Sequence, residues 1–345
     1  MSLTRSDAIL KYIVEYFIKN AQPVGSHTLI EEYHLPYSSA TIRNEMFALE
    51  KMGYIEKTHS SSGRVPSSKG YKYYCKYLRE KNIDESLKNS LQVVLEQKMK
   101  SIEEVIKESC EILSHMTNLV SVVSGANEME RLANIQLIQI SDNAITAVFV
   151  TDKGYVENKT FILPNNVKVK EVVDCVNVLN DRLKGTPINE LVDKMEALKP
   201  VLSDYVISHD LVYQALLETF LRFAGDRLSL YGREELFNQP EFKNDAEKLQ
   251  EVFKLLNDKS IFKSVSDEVS REKEDKVVLK IGDVNPDVSM VTTKLIIGDG
   301  EESTITLLGP TRMDYDKALS ALEYLADELN KYFNNLNNGG NDGDA

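Results

Sequence analysis

The sequence predicts a multidomain protein of the α+β class with a winged helix-turn-helix at its N-terminus. Between Ser26 and Tyr71 the pattern gives a helix, a turn, a second helix and a basic two-stranded ribbon, in that order. Farther along, strand-like segments flank a mostly helical stretch, which indicates one α+β domain interrupted by an insertion. With 345 residues, of which 42% are hydrophobic, the chain can bury two or three cores.

Three helices are predicted before residue 53. The first begins with the capping pattern Thr4-Arg5-Ser6-Asp7 and carries apolar residues every three or four positions. It stops before Pro23, which lacks the backbone donor that a helix needs. A short second helix starts at Ser26. The third begins at Ser39, after a turn that contains proline, and runs to about Met52.

The third helix is the candidate for contacts with DNA bases. Its apolar residues recur at i, i+4 and i+7 from Ile42, so the other faces stay exposed. Small side chains at its start let a helix end approach the major groove closely. Arg43 can bond guanine, Asn44 can bond adenine, and Thr41 can contact a phosphate or a thymine methyl group. We therefore predict DNA contacts from five residues of this helix: Ser39, Ala40, Thr41, Arg43 and Asn44.

A basic ribbon follows this helix. Residues 54–58 have the pattern of a strand and Arg64-Val65-Pro66 that of its partner, joined by a polar turn that ends at Gly63. Hydroxyl groups and cationic side chains suit phosphate oxygens. We therefore predict backbone contacts from Lys57, His59, Ser61, Arg64 and Lys69. The alternative is a surface helix whose arginine and asparagine are only solvated, and the ribbon beside it favours DNA binding.

The charge distribution agrees with this interpretation. Residues 1–80, which we call the head, hold 11 Lys and Arg against 8 Asp and Glu, a net charge of +3. The whole chain carries −13, so the rest of it carries −16. A basic head on an acidic protein is typical of a DNA reader. The alternative, ordinary scatter of charges, does not account for the motif order.

Six motifs carry a more specific resemblance. Four lie in the head and two lie far along the chain: Tyr37-Ser-Ser-Ala-Thr-Ile-Arg-Asn-Glu-Met46, Leu49-Glu50, Gly53-Tyr54-Ile55, His59-Ser-Ser-Ser-Gly-Arg-Val-Pro-Ser-Ser-Lys-Gly-Tyr71, Asn238-Gln239-Pro240-Glu241-Phe242 and Gly309-Pro310-Thr311-Arg312-Met313-Asp314-Tyr315. Together they resemble the signature of the bacterial heat-inducible transcription repressor family, HrcA. The resemblance spans nearly the whole chain.

The resemblance implies a function and partners. It implies a repressor that binds, as a homodimer, an inverted-repeat operator called CIRCE upstream of chaperone operons. It also implies that the GroEL chaperonin helps to keep the repressor active. For the fold, it implies a GAF-like domain with an inserted, mostly helical dimerizing domain. The operator and the role of the chaperonin do not follow from spacing or composition.

The remaining elements follow from changes in hydrophobic period. Residues 86–123 carry a helical apolar stripe, which suits core packing or a partner helix. Strands are then predicted at 135–140, 144–150 and 155–163, helices between 167 and 223, a strand at 228–231, helices near 241–257 and 260–270, strands at 277–281, 289–297 and 304–308, and a helix at 315–333. The predicted domains are the head, 81–164 as linker helix and first GAF-like part, 165–272 as the insertion, 273–333 as the second GAF-like part, and 334–345 as a disordered tail.

Several classes of protein are disfavoured. No apolar run approaches the roughly 20 residues of a membrane span and no signal-peptide core is present, so a cytoplasmic location is expected. Three distant cysteines and five scattered histidines suggest no disulfide framework or metal site. No nucleophile motif or phosphate loop is complete, so we expect no enzyme activity and no cofactor. The motif at 309–315 either fixes a strand-to-helix corner or has a signalling role, and Arg312 with Asp314 is a candidate brace of the head against the body.

Two alternative functions stay open. The first is a winged-helix regulator of another regulon whose GAF-like domain binds a metabolite, although a fold alone licenses no ligand. An effector that changes operator affinity, with no effect of the chaperonin, would favour it. The second is a catalytic or RNA-handling protein. Substrate turnover, or preference for RNA over duplex DNA, would favour that class.

Overall fold

The computed structural model divides the chain into two compact units, Met1–Ser124 together with Leu228–Ala345, and Gly125–Arg227. It describes the chain apart from residues 1–2, 58–62, 98–99, 101, 126–129, 153, 165–166, 203–213, 215–216, 219–226, 244, 273–276, 298–300 and 340–345. None of the described helices combines the length and the apolar character needed to cross a membrane. The fold is a mixture of helices and sheets.

The head contains three helices, a two-stranded antiparallel ribbon and a closing helix. The elements are α1 (Arg5–Asn20), α2 (Ser26–Tyr33), α3 (Ser39–Lys51), β1 (Ile55–Lys57), β2 (Arg64–Pro66) and α4 (Ser68–Tyr73), which continues as a π-helical turn (Tyr74–Leu78). The buried face of α3 consists of Ile42, Met46 and Leu49, as its sequence pattern predicts. The hydroxyl of Ser38 caps α3 by accepting the backbone N–H of Thr41 at 3.2 Å.

The ribbon is tied to the helices at both ends. Val24 and Arg64 exchange two backbone hydrogen bonds of 2.9 Å, which adds one bridge to β2. A side chain at Gly63 would bring a Cβ within 2.8 Å of the Cβ of Pro23, so only glycine fits this turn. At the other end, the Ser67 hydroxyl donates to the carbonyl of Gly53 at 2.6 Å. These bonds fix the ribbon beside α3.

The rest of the first unit, residues 81–124 and 228–339, is called the body. It has a five-stranded sheet in the order β7-β3-β10-β9-β8. Its elements are α5 (Glu85–Leu95), α6 (Ile102–Thr117), β3 (Val120–Gly125), β7 (Arg227–Tyr231), α9 (Pro240–Lys243), α10 (Ala246–Asn257), α11 (Lys259–Arg271), β8 (Val277–Ile281), β9 (Val288–Ile297), β10 (Glu301–Pro310) and α12 (Tyr315–Gly339), with a 3₁₀ turn at Arg233–Asn238.

Alternating residues of this sheet enter two cores, as expected for a sheet that is covered on both faces. Val291 and Leu307 join α6, α12 and the head in one core. Met290 and Leu308 join α10 and α11 in the other. The head therefore packs on the body through a continuous apolar cluster.

The second unit is a three-stranded antiparallel sheet with helices on one face. Its elements are β4 (Leu132–Gln139), β5 (Ala144–Thr151), β6 (Val156–Ile162), α7 (Val169–Leu183), a 3₁₀ turn at Ile188–Glu190 and α8 (Leu191–Leu202). Ile135, Ile145 and Phe149 face α7 and α8 in a core of their own. The opposite face of the sheet has no covering element within the described part of this unit.

The compact units do not follow the predicted domain boundaries. The insertion was expected at 165–272, whereas the second unit runs from 125 to 227. The strands at 132–162 bury their apolar face under α7, and α10 and α11 bury Val252 and Phe262 on the five-stranded sheet. Hydrophobic period identifies a strand or helix but not the sheet that it joins.

At the C-terminus, α12 continues to Gly339 through part of the predicted tail, and 340–345 lie outside the described residues.

Candidate nucleic-acid interface

One face of α3 is open to solvent along its length. It carries Ala40, Arg43, Asn44, Phe47 and Lys51, which are all exposed. Their spacings of three, four and seven residues place them on one stripe of a helix with about 3.6 residues per turn. The stripe lies opposite the apolar face that packs into the head. It is therefore the part of α3 that another molecule can contact.

Arg43 and Asn44, near the middle of this stripe, carry hydrogen-bonding side chains. Within the described residues, neither side chain has a hydrogen bond or an ion pair. Their donors and acceptors are therefore available to a ligand. An exposed arginine fork and an amide at adjacent positions match the groups that read guanine and adenine edges in a major groove.

Ser39 and Thr41, which the sequence also predicted as contacts, have partners within the head. The Ser39 hydroxyl lies 2.9 Å from that of Ser26, at the start of α2. The Thr41 hydroxyl lies 2.9 Å from that of Ser38, the cap of α3. Both bonds hold the first turn of α3 in place. Ala40, between them, is exposed and leaves room beside the backbone.

The opposite side of α3 is tied to α1. The Glu45 carboxylate accepts a hydrogen bond from the Ser6 hydroxyl at 2.6 Å and one from Arg5 Nε at 2.7 Å. These bonds, with that of Ser6 as the larger contribution, lower the pKa of Glu45. The carboxylate thus stays charged and anchors α3 from the face away from the open stripe. The sequence pattern gave no sign of this role.

The ribbon is coupled to α3 by an ion pair. Arg64 donates from Nε at 3.0 Å and from Nη2 at 2.7 Å to one oxygen of Glu50. The predicted phosphate contact of Arg64 therefore competes with a partner inside the head. Lys57 is exposed and has no partner among the described residues. His59 and Ser61, the other predicted contacts of the ribbon, lie outside the described residues.

Lys69 lies at the far end of α3. Its ammonium donates to the carbonyl of Met52 at 2.8 Å and stands 4.6 Å from the centre of the Tyr54 ring. A cation next to the last carbonyls of a helix stabilises the helix dipole. Lys69 thus has a structural role at the C-terminus of α3, away from Ala40. The structure places Lys69 apart from the other predicted contacts on α3.

A cluster of polar contacts joins the head to the body. It brings together residues from the two motifs that lie far along the chain, at 238–242 and 309–315. Arg312 donates from Nε to Glu241 at 2.7 Å and from Nη1 to the carbonyl of Ile18, in the last turn of α1. Arg312 thus makes the predicted contact with the head, but without Asp314. Asp314 instead accepts the backbone N–H of Lys317 at 3.0 Å and caps α12. Arg312 braces the head through α1.

Other polar contacts reinforce this seam. The Tyr74 hydroxyl donates to Asp316 at 2.8 Å, and the Lys72 ammonium lies 2.8 Å from Asp283. Arg79 pairs with Glu323 of α12. Burial raises the pKa of the Asp316 carboxyl. Contacts at several points hold the head in one orientation on the body.

The Arg312–Glu241 pair is expected to show a coupling free energy of about 1 kcal/mol or more in a double-mutant cycle. Both side chains are only about one-fifth to one-quarter exposed, at 19% and 24%, so solvent screens the pair weakly. The cycle uses Arg312→Ala, Glu241→Gln and the double variant, with unfolding free energies from urea denaturation. The Lys248–Asp287 pair, 40% exposed on both sides, is the control and should couple by less. Equal coupling in the two pairs would show that Glu241 does not hold the Arg312 side chain in place.

No group of three or more metal-binding side chains occurs among the residues that the structure describes. The three cysteines are buried and unpaired, and burial raises the pKa of each thiol. The thiols therefore act as apolar core groups.

Comparison with known proteins identifies the family. Residues 103–319 match the model of the HrcA protein C terminal domain. The heat-inducible transcription repressor HrcA of Halalkalibacterium halodurans is 34% identical over 344 residues, covering 97% of this chain and 99% of that protein. The HrcA repressor of Bacillus pumilus is 35% identical over 345 residues, with 97% and 99% covered.

A solved structure shares the fold. The crystal structure of a hypothetical protein at 2.2 Å resolution superposes with a TM-score of 0.62 at 22% identity, covering 97% of this chain and 99% of that chain. At this identity the likeness concerns the fold alone. The full-length sequence matches carry the assignment: the chain belongs to the HrcA family of heat-inducible transcription repressors, which are not enzymes.

Proposed function

We propose that this repressor binds, as a homodimer, the inverted-repeat CIRCE operator of heat-shock chaperone operons in the cytoplasm. Each head acts as a winged helix-turn-helix that places the start of α3 in a major groove and the ribbon beside it. The single observation that carries the proposal is the open stripe of α3. Arg43 and Asn44 project from it without partners in the described chain. On the neighbouring faces of α3, Glu45 binds α1 and Glu50 binds the ribbon.

The proposed domains follow the observed units. We assign the body to the GAF-like domain and Gly125–Arg227 to the inserted dimerizing domain. The head–body seam then matters for function, because it fixes where α3 points from the body. In a dimer, that direction sets the separation of the two recognition helices, which must match a whole number of turns of the operator.

The open face of the three-stranded sheet supplies a surface for dimerization. The register places three exposed apolar side chains on this face, with exposures of 50%, 49% and 78%: Ile138, Val156 and Ile162. Ile140, which is 63% exposed, follows β4, and its backbone N–H donates to the carbonyl of Ala144, the register partner of Ile162. Contiguous exposed apolar patches are typical of association sites. Because a symmetric operator requires two copies of the head, we propose that a second copy of this chain covers the patch.

Replacing both Ile140 and Ile162 by aspartate is expected to convert the dimer to monomer at micromolar concentration. Burying two charges in an apolar interface without partners costs several kcal/mol. Sedimentation equilibrium measures the change. Val93, which is 61% exposed on α5, provides the control, and Val93→Asp should leave the dimer intact. A double variant that stays dimeric would place the interface elsewhere.

A titration with labelled duplexes tests the proposed function. CIRCE and a scrambled duplex of equal length are compared by fluorescence anisotropy over a range of salt concentrations, with and without GroEL. We expect CIRCE to bind at least about 10³-fold more tightly than the scrambled duplex, with a steep loss of affinity as salt rises. Equal binding of the two duplexes would refute the proposal. GroEL is expected to raise the fraction of protein that binds.

One feature favours the effector-gated alternative as a second candidate. A cleft of about 510 Å³ lies at the head–body seam, between Glu15 and Tyr74 on one side and Gln239, Arg312 and Asp316 on the other. Clefts of this size hold small molecules in many proteins. An effector bound there would change the orientation of the head. A metabolite that alters CIRCE affinity, together with no effect of GroEL, would favour this candidate.

Glu50→Gln is expected to strengthen binding to every duplex, operator or scrambled. Glutamine keeps an acceptor for Arg64 but removes the charge that competes with phosphate. The slope of log K against log salt should become steeper by up to about 0.9 for each head. Glu196→Gln, which removes an exposed carboxylate in the second unit, should change neither quantity. Unchanged binding by Glu50→Gln would show that Arg64 makes no phosphate contact.

A further inference from the structure

Phe47 is an unusual residue for the exposed face of a helix. Its side chain is 55% exposed, and it lies on the same stripe as Ala40 and Asn44, one turn beyond Asn44. The apolar residues Ile42, Met46 and Leu49 already fill the core below α3. Packing within the head therefore gives no reason for a large aromatic side chain at position 47.

The Phe47 ring contacts a cation on its own helix. The ammonium of Lys51, four residues later, stands 4.7 Å from the centre of the Phe47 ring. A cation at this distance is attracted to the face of an aromatic ring. Lys51 thereby orients the ring, and its charge lies at the same end of the stripe. A ring and a lysine at this spacing can contact a base and the adjacent phosphate together.

The position of Phe47 along α3 fits the width of a major groove. It lies eight residues after Ser39, so it is about 12 Å along the helix axis from the start of α3. A major groove is about 12 Å wide. When α3 lies along the groove, the stripe that carries Arg43 and Asn44 faces the base edges, and Phe47 on the same stripe faces the base-edge surface of the same groove. The apolar group on that surface is the C5-methyl of thymine.

We propose that Phe47 reads a thymine methyl group in each half-site, next to the base contacted by Asn44. This inference rests on the proposed function, because it requires α3 to enter the major groove. Arg43 and Asn44 discriminate bases by hydrogen bonds, and Phe47 adds discrimination by apolar contact. Lys51 keeps the ring against the methyl group and contacts the neighbouring phosphate.

Duplexes with deoxyuridine in place of single thymines test the inference. Deoxyuridine keeps the Watson–Crick pairing and lacks only the methyl group. Each thymine of the CIRCE duplex is replaced in turn, at symmetric positions of both half-sites, and affinities are measured by anisotropy for wild type and Phe47→Ala. Tyr77→Ala is the matched control, because Tyr77 is an aromatic residue of the head that is 62% exposed outside α3.

When deoxyuridine replaces thymine at one symmetric position, the wild type is expected to lose about fourfold in affinity per half-site. This is the loss expected for the removal of one buried methyl group. Phe47→Ala should bind the thymine duplex more weakly and show no loss at that position. Tyr77→Ala should keep the wild-type ratio at every position.

Two results would overturn the inference and leave the proposed function standing. One is a Phe47→Ala protein that keeps the wild-type ratio of thymine to uracil affinity at every position. The other is a wild type that prefers CIRCE over the scrambled duplex but tolerates uracil everywhere. A wild type with no preference for CIRCE would instead refute the proposed function, and the inference with it.

Discussion

Arg43→Ala is expected to weaken operator binding by about 1 to 3 kcal/mol for each half-site, so by about 2 to 6 kcal/mol for the dimer. Arg43 is exposed, has no partner in the described chain, and stands on the stripe of α3 that faces away from the core. Its guanidinium can bond the two acceptors of guanine, and alanine leaves both unpaired. Anisotropy titrations with CIRCE and with single-base variants measure the loss and the relaxed base preference.

The control for this variant is Arg233→Ala, which removes an exposed arginine from the body. It changes the net charge by the same amount but lies outside the head. It should retain wild-type affinity and base preference. If Arg43→Ala bound CIRCE as tightly as Arg233→Ala, the assignment of α3 as the recognition helix would be wrong.

Gly70→Ala is expected to destabilise the head by about 3 kcal/mol or more and to abolish operator binding. Gly70 lies in the first turn of α4, directly over the backbone of Tyr54 at the start of the ribbon. A Cβ at this position would stand 2.0 Å from the carbonyl oxygen of Tyr54, so α4 or the ribbon must shift. The backbone cannot give way as a flexible side chain can. Urea denaturation followed by circular dichroism measures the loss.

Gly25→Ser is the matched control within the head. A Cβ at Gly25 meets nothing within 4 Å, and the residue caps α2, where serine is favoured. This variant should equal or exceed the wild type in stability and retain operator binding. A Gly70→Ala protein with the wild-type unfolding midpoint would show that α4 does not pack on the ribbon as described.

Much of the head could be predicted from local sequence. The spacing of Ile42, Met46 and Leu49 predicted the buried face of α3, and therefore the exposure of Arg43 and Asn44. Such patterns repeat within one element, so a single sequence reveals them. The motif order likewise predicted the sequence of helices and strands in the head.

The pairings of polar side chains could not be predicted, because they join distant parts of the chain. Glu50 and Arg64 meet across the gap between α3 and β2, and Arg312 meets Glu241 from 71 residues away. Both glutamates lie in motifs that resemble the family, but nothing in their spacing names a partner. The sheet that each strand joins also depends on contacts between distant parts of the chain. For this reason the predicted insertion, 165–272, differs from the compact unit, which runs from 125 to 227.

Methylation interference tests the central claim, that α3 reads base edges in the major groove from a symmetric dimer. Dimethyl sulfate modifies guanine N7 in the major groove and adenine N3 in the minor groove. We expect N7 methylation to block binding at guanines placed symmetrically in both half-sites, and Arg43→Ala to become insensitive at one of them. Interference only at adenine N3, or in one half-site alone, would contradict the claim that α3 reads base edges from a symmetric dimer.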